Sequence, residues 1–290
     1  MSGELIYADG QMQYKDYLLG DNETTFLDAI NGWDDLPSVD SGNTLKPASH
    51  GAWVGRKLAG QRIITWEGRF AATEDDWRAE LNRLRSAFSL PNGTEEYEIV
   101  VRLHDDVKLA FGTISGRLIP GDRQYGYYGA TLSLQFECSD PRRYSLGENS
   151  WTLSMPPNTV TGLPYPLHYP LDYGTEANPS SGTLINDGDV MTPIVMIFSG
   201  PMENPGILNT TLGVKLQFNI TLTESDTLVV DTRKGTVLLN GTADRLYTRT
   251  VNSSPIFSFG LAPGSNNMQL LASTWEEPAG VTITWRDATL

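Results

Sequence analysis

Residues 128–138 constrain the fold more than any other stretch of this chain. Tyr128, Ala130, Leu132, Leu134, Phe136 and Cys138 are apolar at every second position, with Thr131, Ser133, Gln135 and Glu137 polar between them. A period of two belongs to an extended strand with one buried face, and a helix cannot gather those side chains on one side. On this pattern Cys138 is a small buried hydrophobe, not a reactive thiol. The same alternation recurs upstream. Ile64, Trp66 and Phe70 share a side, as do Tyr97, Ile99, Val101 and Leu103, with Val100 the exception. A short turn at His104, Asp105 and Asp106 leads into Val107, Leu109 and Phe111. The phase then moves to Ile114 and Leu118, which predicts a bulge near Gly112.

One helix interrupts the strands, predicted over residues 74–89. Trp77, Leu81, Leu84 and Phe88 follow at helical spacing and make one apolar stripe. Thr73 can cap its start, with Asp76 three residues later as a weaker capping partner than Glu or Gln. Pro91, Asn92 and Gly93 stop it. The regularity of the stripe points to core packing. Residues 1–60 are rich in Gly, Asp and Asn, and read as short strands joined by long loops.

The character changes after residue 144. Six prolines (Pro156, Pro157, Pro164, Pro166, Pro170, Pro179) break any regular element between 145 and 182, yet Trp151, Tyr165, Tyr169 and Tyr173 sit among them. A flexible linker carries few large aromatics, so this stretch is expected to be an ordered junction between two domains, 1–144 and 183–290. Beyond it the signal is all β. Val214, Leu216, Phe218, Ile220 and Leu222 alternate with polar neighbours, and Leu228–Val230 and Val237–Leu239 flank a hairpin turn at Thr232–Gly235. Phe257 with Phe259, then Met268, Leu270 and Ala272, then Val281, Ile283 and Trp285, supply three more strands. Seven or eight short strands in this length predict a β-sandwich of jelly-roll or galectin-like type. The fold class is therefore mainly β, an N-terminal β-sandwich with one helix followed by a C-terminal galectin-like sandwich.

Charge excludes some functions. The chain has 290 residues, with 21 Lys and Arg against 35 Asp and Glu, for a net charge of -14. Such a surface does not neutralise the phosphates of a nucleic acid, although it suits a wall that DNA passes without sticking. The single cysteine rules out a disulfide framework. No apolar run approaches membrane-spanning length, and the first residues lack a basic and apolar leader, so folding in a reducing cytosol is expected.

No catalytic constellation emerges. His50, His104 and His168 lie far apart, without partners at metal-ligand spacing. The chain has no nucleophile elbow, Walker loop or dinucleotide fingerprint. The acidic pairs at Asp34–Asp35, Asp75–Asp76 and Asp105–Asp106 fall in loops or at the helix start, where they solvate turns. Asp187 with Asp189 and Glu224 with Asp226 could hold calcium, but loop solvation accounts for them. The prediction is no enzyme, no metal and no cofactor. Sandwiches of this class also bind sugars by stacking them on exposed aromatics. Trp285 is in phase with the core, so Trp275, in the loop-like stretch 273–278, is the one candidate glycan contact. A carbohydrate-binding module, one that would serve cell-wall adsorption, is thus the alternative function.

The order of features resembles the distal tail protein family of long-tailed, non-contractile bacteriophages. The residues that carry it are Arg62–Phe70 with the single helix, and Ser139–Tyr144 after the strand 128–138. In the second half they are Asn186–Asp189 before Thr192–Ile194, Leu228–Val237 with Leu239–Gly241, Phe259–Asn266 and Val281–Arg286. The first 60 residues match least. The resemblance implies a homohexameric ring built by a belt-forming first domain, with galectin-like second domains projecting from its rim. It implies a structural hub at the virion tail tip that joins the tail tube to the baseplate. Its expected partners are further copies of itself, the major tail tube protein, a tail-associated tip protein and the tape measure protein. DNA would pass through the lumen unbound. Short spacings between the second-domain strands leave no room for an inserted sugar-binding module.

Overall fold

The computed structural model describes residues 3–156 and 180–290, and in it the predicted strand at 128–138 is Gly129–Cys138. Its even positions are buried, from Ala130 to Cys138. The chain divides into two compact units, Met1–Leu146 with Leu290, and Gly147–Thr289. No described helix is long and apolar enough to cross a membrane.

The first unit is built on an antiparallel sheet. Its order is Tyr17–Leu19, Met12–Tyr14, Tyr97–Leu103, Asp106–Leu118, Gly129–Cys138, Arg62–Ala71 and Thr25–Asn31. The 13-residue strand Asp106–Leu118 serves two neighbours. Asp106–Gly112 pair with Tyr97–Leu103, and Thr113–Leu118 pair with Gly129–Cys138. The register shifts between Ile114 and Gly116, so the bulge lies just beyond the place expected from sequence. Gly112 has another task, because a Cβ there would lie 2.6 Å from the Cys138 Sγ. The sheet curls, so that the Tyr14 ring reaches that of Phe136, 5.1 Å away between centroids.

The helix is Trp77–Ala87, shorter at both ends than the predicted 74–89. Residues 74–76 form a turn, so the N-cap is Asp76 and not Thr73 as expected, and Thr73 instead opens the turn before the helix. Its backbone carbonyl accepts from the Trp77 N–H (2.8 Å), and its hydroxyl accepts from the Asp76 N–H and donates to the Asp76 carboxylate. Trp77, Leu81 and Leu84 are buried with Ile64, Trp66, Phe70, Leu134 and Phe136 in one apolar cluster, and Phe70 and Trp77 meet at 5.2 Å. Burying such side chains contributes about 2 kcal/mol each.

The second unit is a sandwich of two main sheets, beside a small third one of Thr221–Leu222, Met202–Glu203 and Thr274–Trp275. One sheet runs Asn149–Ser154, Gly280–Trp285, Ile194–Ser199, Thr227–Asp231, Thr236–Leu239, Ala243–Asp244. The other runs Ser181–Asn186, Gly264–Leu271, Gly206–Asn209, Val214–Gln217. Met196, Phe198, Val230 and Ile283 of the first sheet share a core with Leu184, Ile207, Leu216 and Met268 of the second. The stretch 145–182, read above as a junction, includes the edge strand Asn149–Ser154 of this unit, and residues 157–179 lie outside the described residues.

Two local readings are corrected. The continuous alternation 214–222 is two strands, Val214–Gln217 on Gly206–Asn209, and Thr221–Leu222 on Met202–Glu203. Phe218 lies at the break, bonded to Pro205 and bridged to Arg249. Phe257 and Phe259 do not form a strand either. Ile256–Ser258 is a 3-10 turn after Pro255, whose carbonyl accepts from Ser258. Phe259 is buried, while the exposed Phe257 covers Gly235 in the hairpin turn.

Candidate assembly surface

The segment between Asp35 and Arg62 folds into a ribbon bonded to itself. Gly60 N–H donates to Ser38 O, Val39–Asp40 pairs with Leu58–Ala59, and Thr44–Leu45 pairs with Ala52–Trp53. Asn43 accepts from Gly55, and Lys46 donates to Gly51 at the tip. Gly42 and Gly51 take positive φ. Gly55 is held by a closer constraint, since a Cβ there would lie 2.2 Å from Gly42 O.

The ribbon carries apolar side chains that no core receives. Leu45 is 81% exposed, Trp53 57% and Val54 83%. Leu36, Val39 and Leu58 are also exposed, and none of the six belongs to either buried cluster. Charge sets the segment apart as well. Residues 36–60 hold Lys46, Arg56 and Lys57 against Asp40 alone, a surplus of two positive charges in a chain of net -14.

Arg62 fastens the base of the ribbon. It is the first residue after it, only 1% exposed, on the same strand face as Ile64 and Trp66. Its Nη1 donates to the carbonyls of Gly32 (2.7 Å), Trp33 (2.8 Å) and Asp35 (2.8 Å), which precede the ribbon. Its Nε donates to Pro141 O at 2.8 Å. Burial, and then the charge of Arg143, push its pKa down from the usual arginine range. Arg143 is itself engaged by the Asp34 carboxylate. One guanidinium therefore ties the two ends of the ribbon to each other and to the close of the first unit.

The residues singled out from sequence are dispersed. His50 lies at the ribbon tip and His104 in a hairpin turn, with φ of 51°. His168 is outside the described residues. Among the described residues, no three of His, Cys, Asp and Glu come together to hold a metal. Asp226 accepts from the Thr223 N–H and hydroxyl and from Asn240, bonds that lower its pKa to about 2. That carboxylate fastens a turn. Asp187 donates its N–H to Asp287. Cys138 is fully buried, and desolvation pushes its thiol up to about 12.

Trp275 is in the two-residue strand Thr274–Trp275, partly buried against the second core. Its indole N–H donates to Pro156 O at 2.7 Å, so only the uncovered part of the ring is available to a ligand. Trp285 is in the core, as its phase predicted, with its N–H on Ile185 O.

Residues 187–288 match the model of the siphovirus-type tail component, C-terminal domain. The chain follows the crystal structure of the SPP1 Dit protein, described as a paradigm of the hub adsorption apparatus in Gram-positive infecting phages. The TM-score is 0.64 at 14% identity, over 97% of this chain and 99% of that one. It also matches the phage P2 baseplate in its activated conformation with Ca, with a TM-score of 0.52 at 10% identity, and with Sr, at 0.51 and 11%. Each of these covers 94% of this chain and 97% of the other. No curated protein sequence matches the chain. The resemblance read from sequence is thus met by a family model in the second unit and by one fold along nearly the whole length.

Proposed function

We propose that this chain, with a siphovirus-type tail component domain in its second unit, is the structural hub of a phage tail tip. The observation that carries the reading is the end-to-end likeness to a hub protein, which includes both units in one order. In this role copies of the chain form a homohexameric ring that joins the tail tube to the tip and baseplate proteins. The tape measure protein and then DNA meet its lumen without specific binding. A net charge of -14 suits that lumen, since a negative wall repels a passing duplex. The second unit is then a galectin-like module, and the chain carries out no chemistry. Its place is the virion, after assembly in the host cytoplasm.

Quantitative mass spectrometry of purified virions tests the role. A hub gives a small, fixed number of copies per particle, close to six and far below the tube protein. Absence from virions, or a copy number that follows the tube protein, overturns it.

A further inference from the structure

We infer that the ribbon 38–60 is a docking arm for a second copy of this chain, an inference that rests on the hub reading above. Apolar side chains in contact with water cost free energy, and monomers rarely leave a contiguous patch of more than a few hundred Å² open. Val39, Leu45, Trp53, Val54 and Leu58, with Leu36 just before them, together expose an area of that order along one ribbon. Its backbone strands pair with each other, so the ribbon's shape is set by its own bonds. The Arg62 clamp fixes its root, and a pre-ordered arm gives up less conformational freedom on docking.

Charge selects the partner. The arm is positive by two, which leaves -16 on the rest of the chain. A surface with Trp53 beside Arg56 and Lys57 could stack on a nucleic acid, but that remainder would repel a polyanion of high charge density. The complement of a basic, apolar arm is an acidic protein surface, and the chain outside the arm carries a net charge of -16. An arm on one copy seated on a different surface of the next is a heterologous contact, which closes into a ring when the rotation permits. The arm therefore supplies the asymmetric contact that a ring needs.

The test is native mass spectrometry and analytical ultracentrifugation of the full chain, at low and high salt. Three variants are compared with it: Trp53→Asp with Val54→Asp, Arg56→Glu with Lys57→Glu, and Val251→Asp as a control on the exposed surface of the second unit. The expected result is a discrete oligomer for the parent chain, loosened by salt. Both arm variants should weaken association at least about tenfold with unchanged melting temperature, since these side chains touch no core, and the control should assemble normally. Arm variants that assemble like the parent overturn the docking role and leave the hub reading intact. A parent chain that stays monomeric at every concentration overturns the docking role too, and virion copy number then decides the hub reading separately. Retardation of a DNA duplex by the parent, lost in the Trp53 and Val54 variant, would make the arm a nucleic-acid element instead.

Discussion

Replacing Arg62 by methionine keeps most of the buried volume and removes every donor. Four carbonyls lose their partner, those of Gly32, Trp33, Asp35 and Pro141, all bonded at 2.7–2.8 Å. The Nε and Nη1 groups offer three N–H donors to these four carbonyls, and bonds from a charged donor are worth about 1.5–3 kcal/mol each, so the gross loss is on the order of 4.5–9 kcal/mol. Much of this is offset. Burying the guanidinium costs several kcal/mol, and its charge lies beside that of Arg143. Residues Gly32 and Asp35 are also partly open, so water can replace the donor there. The expected net loss is about 3–4 kcal/mol, which lowers the melting of a unit of this size by roughly 10 °C. Differential scanning calorimetry of the full chain reads this as a drop in the transition of the first unit alone. Arg62→Lys should recover less than half, because an ammonium is a point donor that does not span four acceptors. Hydrogen exchange over residues 33–61 should quicken in both. A drop below about 3 °C, or full rescue by lysine, would refute the clamp.

Gly112→Ala should destabilise by about 1–3 kcal/mol, read by urea unfolding, because its Cβ would press on the Cys138 sulfur and on Glu137 O. Cys138 sets an alkaline limit. Its folded pKa, near 12, is above the unfolded thiol value of about 8.5, so the unfolded chain loses the proton first. Stability contributed by the neutral thiol is therefore complete below pH ~8.5 and declines toward pH 12, by up to about 1.4 kcal/mol per pH unit. Cys138→Ser should flatten that slope, and a thiol reagent at neutral pH should label Cys138 only on unfolding.

The fold was legible where local pattern and tertiary packing agree. Ala130 to Cys138 alternate because one face of their strand is covered, and Trp77, Leu81 and Leu84 repeat because one face of the helix is covered. Legibility failed where the partner strand decides. Nothing in 214–222 marks the exchange of partners at Phe218, and Pro255 converts an apparent strand at 257–259 into a turn. The ribbon between Asp35 and Arg62 was the least legible part. Residues 1–60 read only as short strands joined by long loops, and sequence does not show that no core reaches Leu45, Trp53 and Val54. The available signal was the run Gly42, Gly51, Gly55, Gly60 together with a local reversal of charge. Arg62 shares the phase of Ile64 and Trp66, but arginine is so seldom fully buried that phase alone does not place it inside. Trp275 finds its partner at Pro156, 119 residues away, with no local trace of the bond.

The central proposal is one of place: that this chain sits at the end of a phage tail and joins its tube to its tip. Electron microscopy of purified virions decorated with gold-labelled antibody against the chain tests it most directly. The account predicts label confined to the tail end opposite the capsid, one cluster per particle. Label along the tube, at the capsid, or on no particle would contradict it.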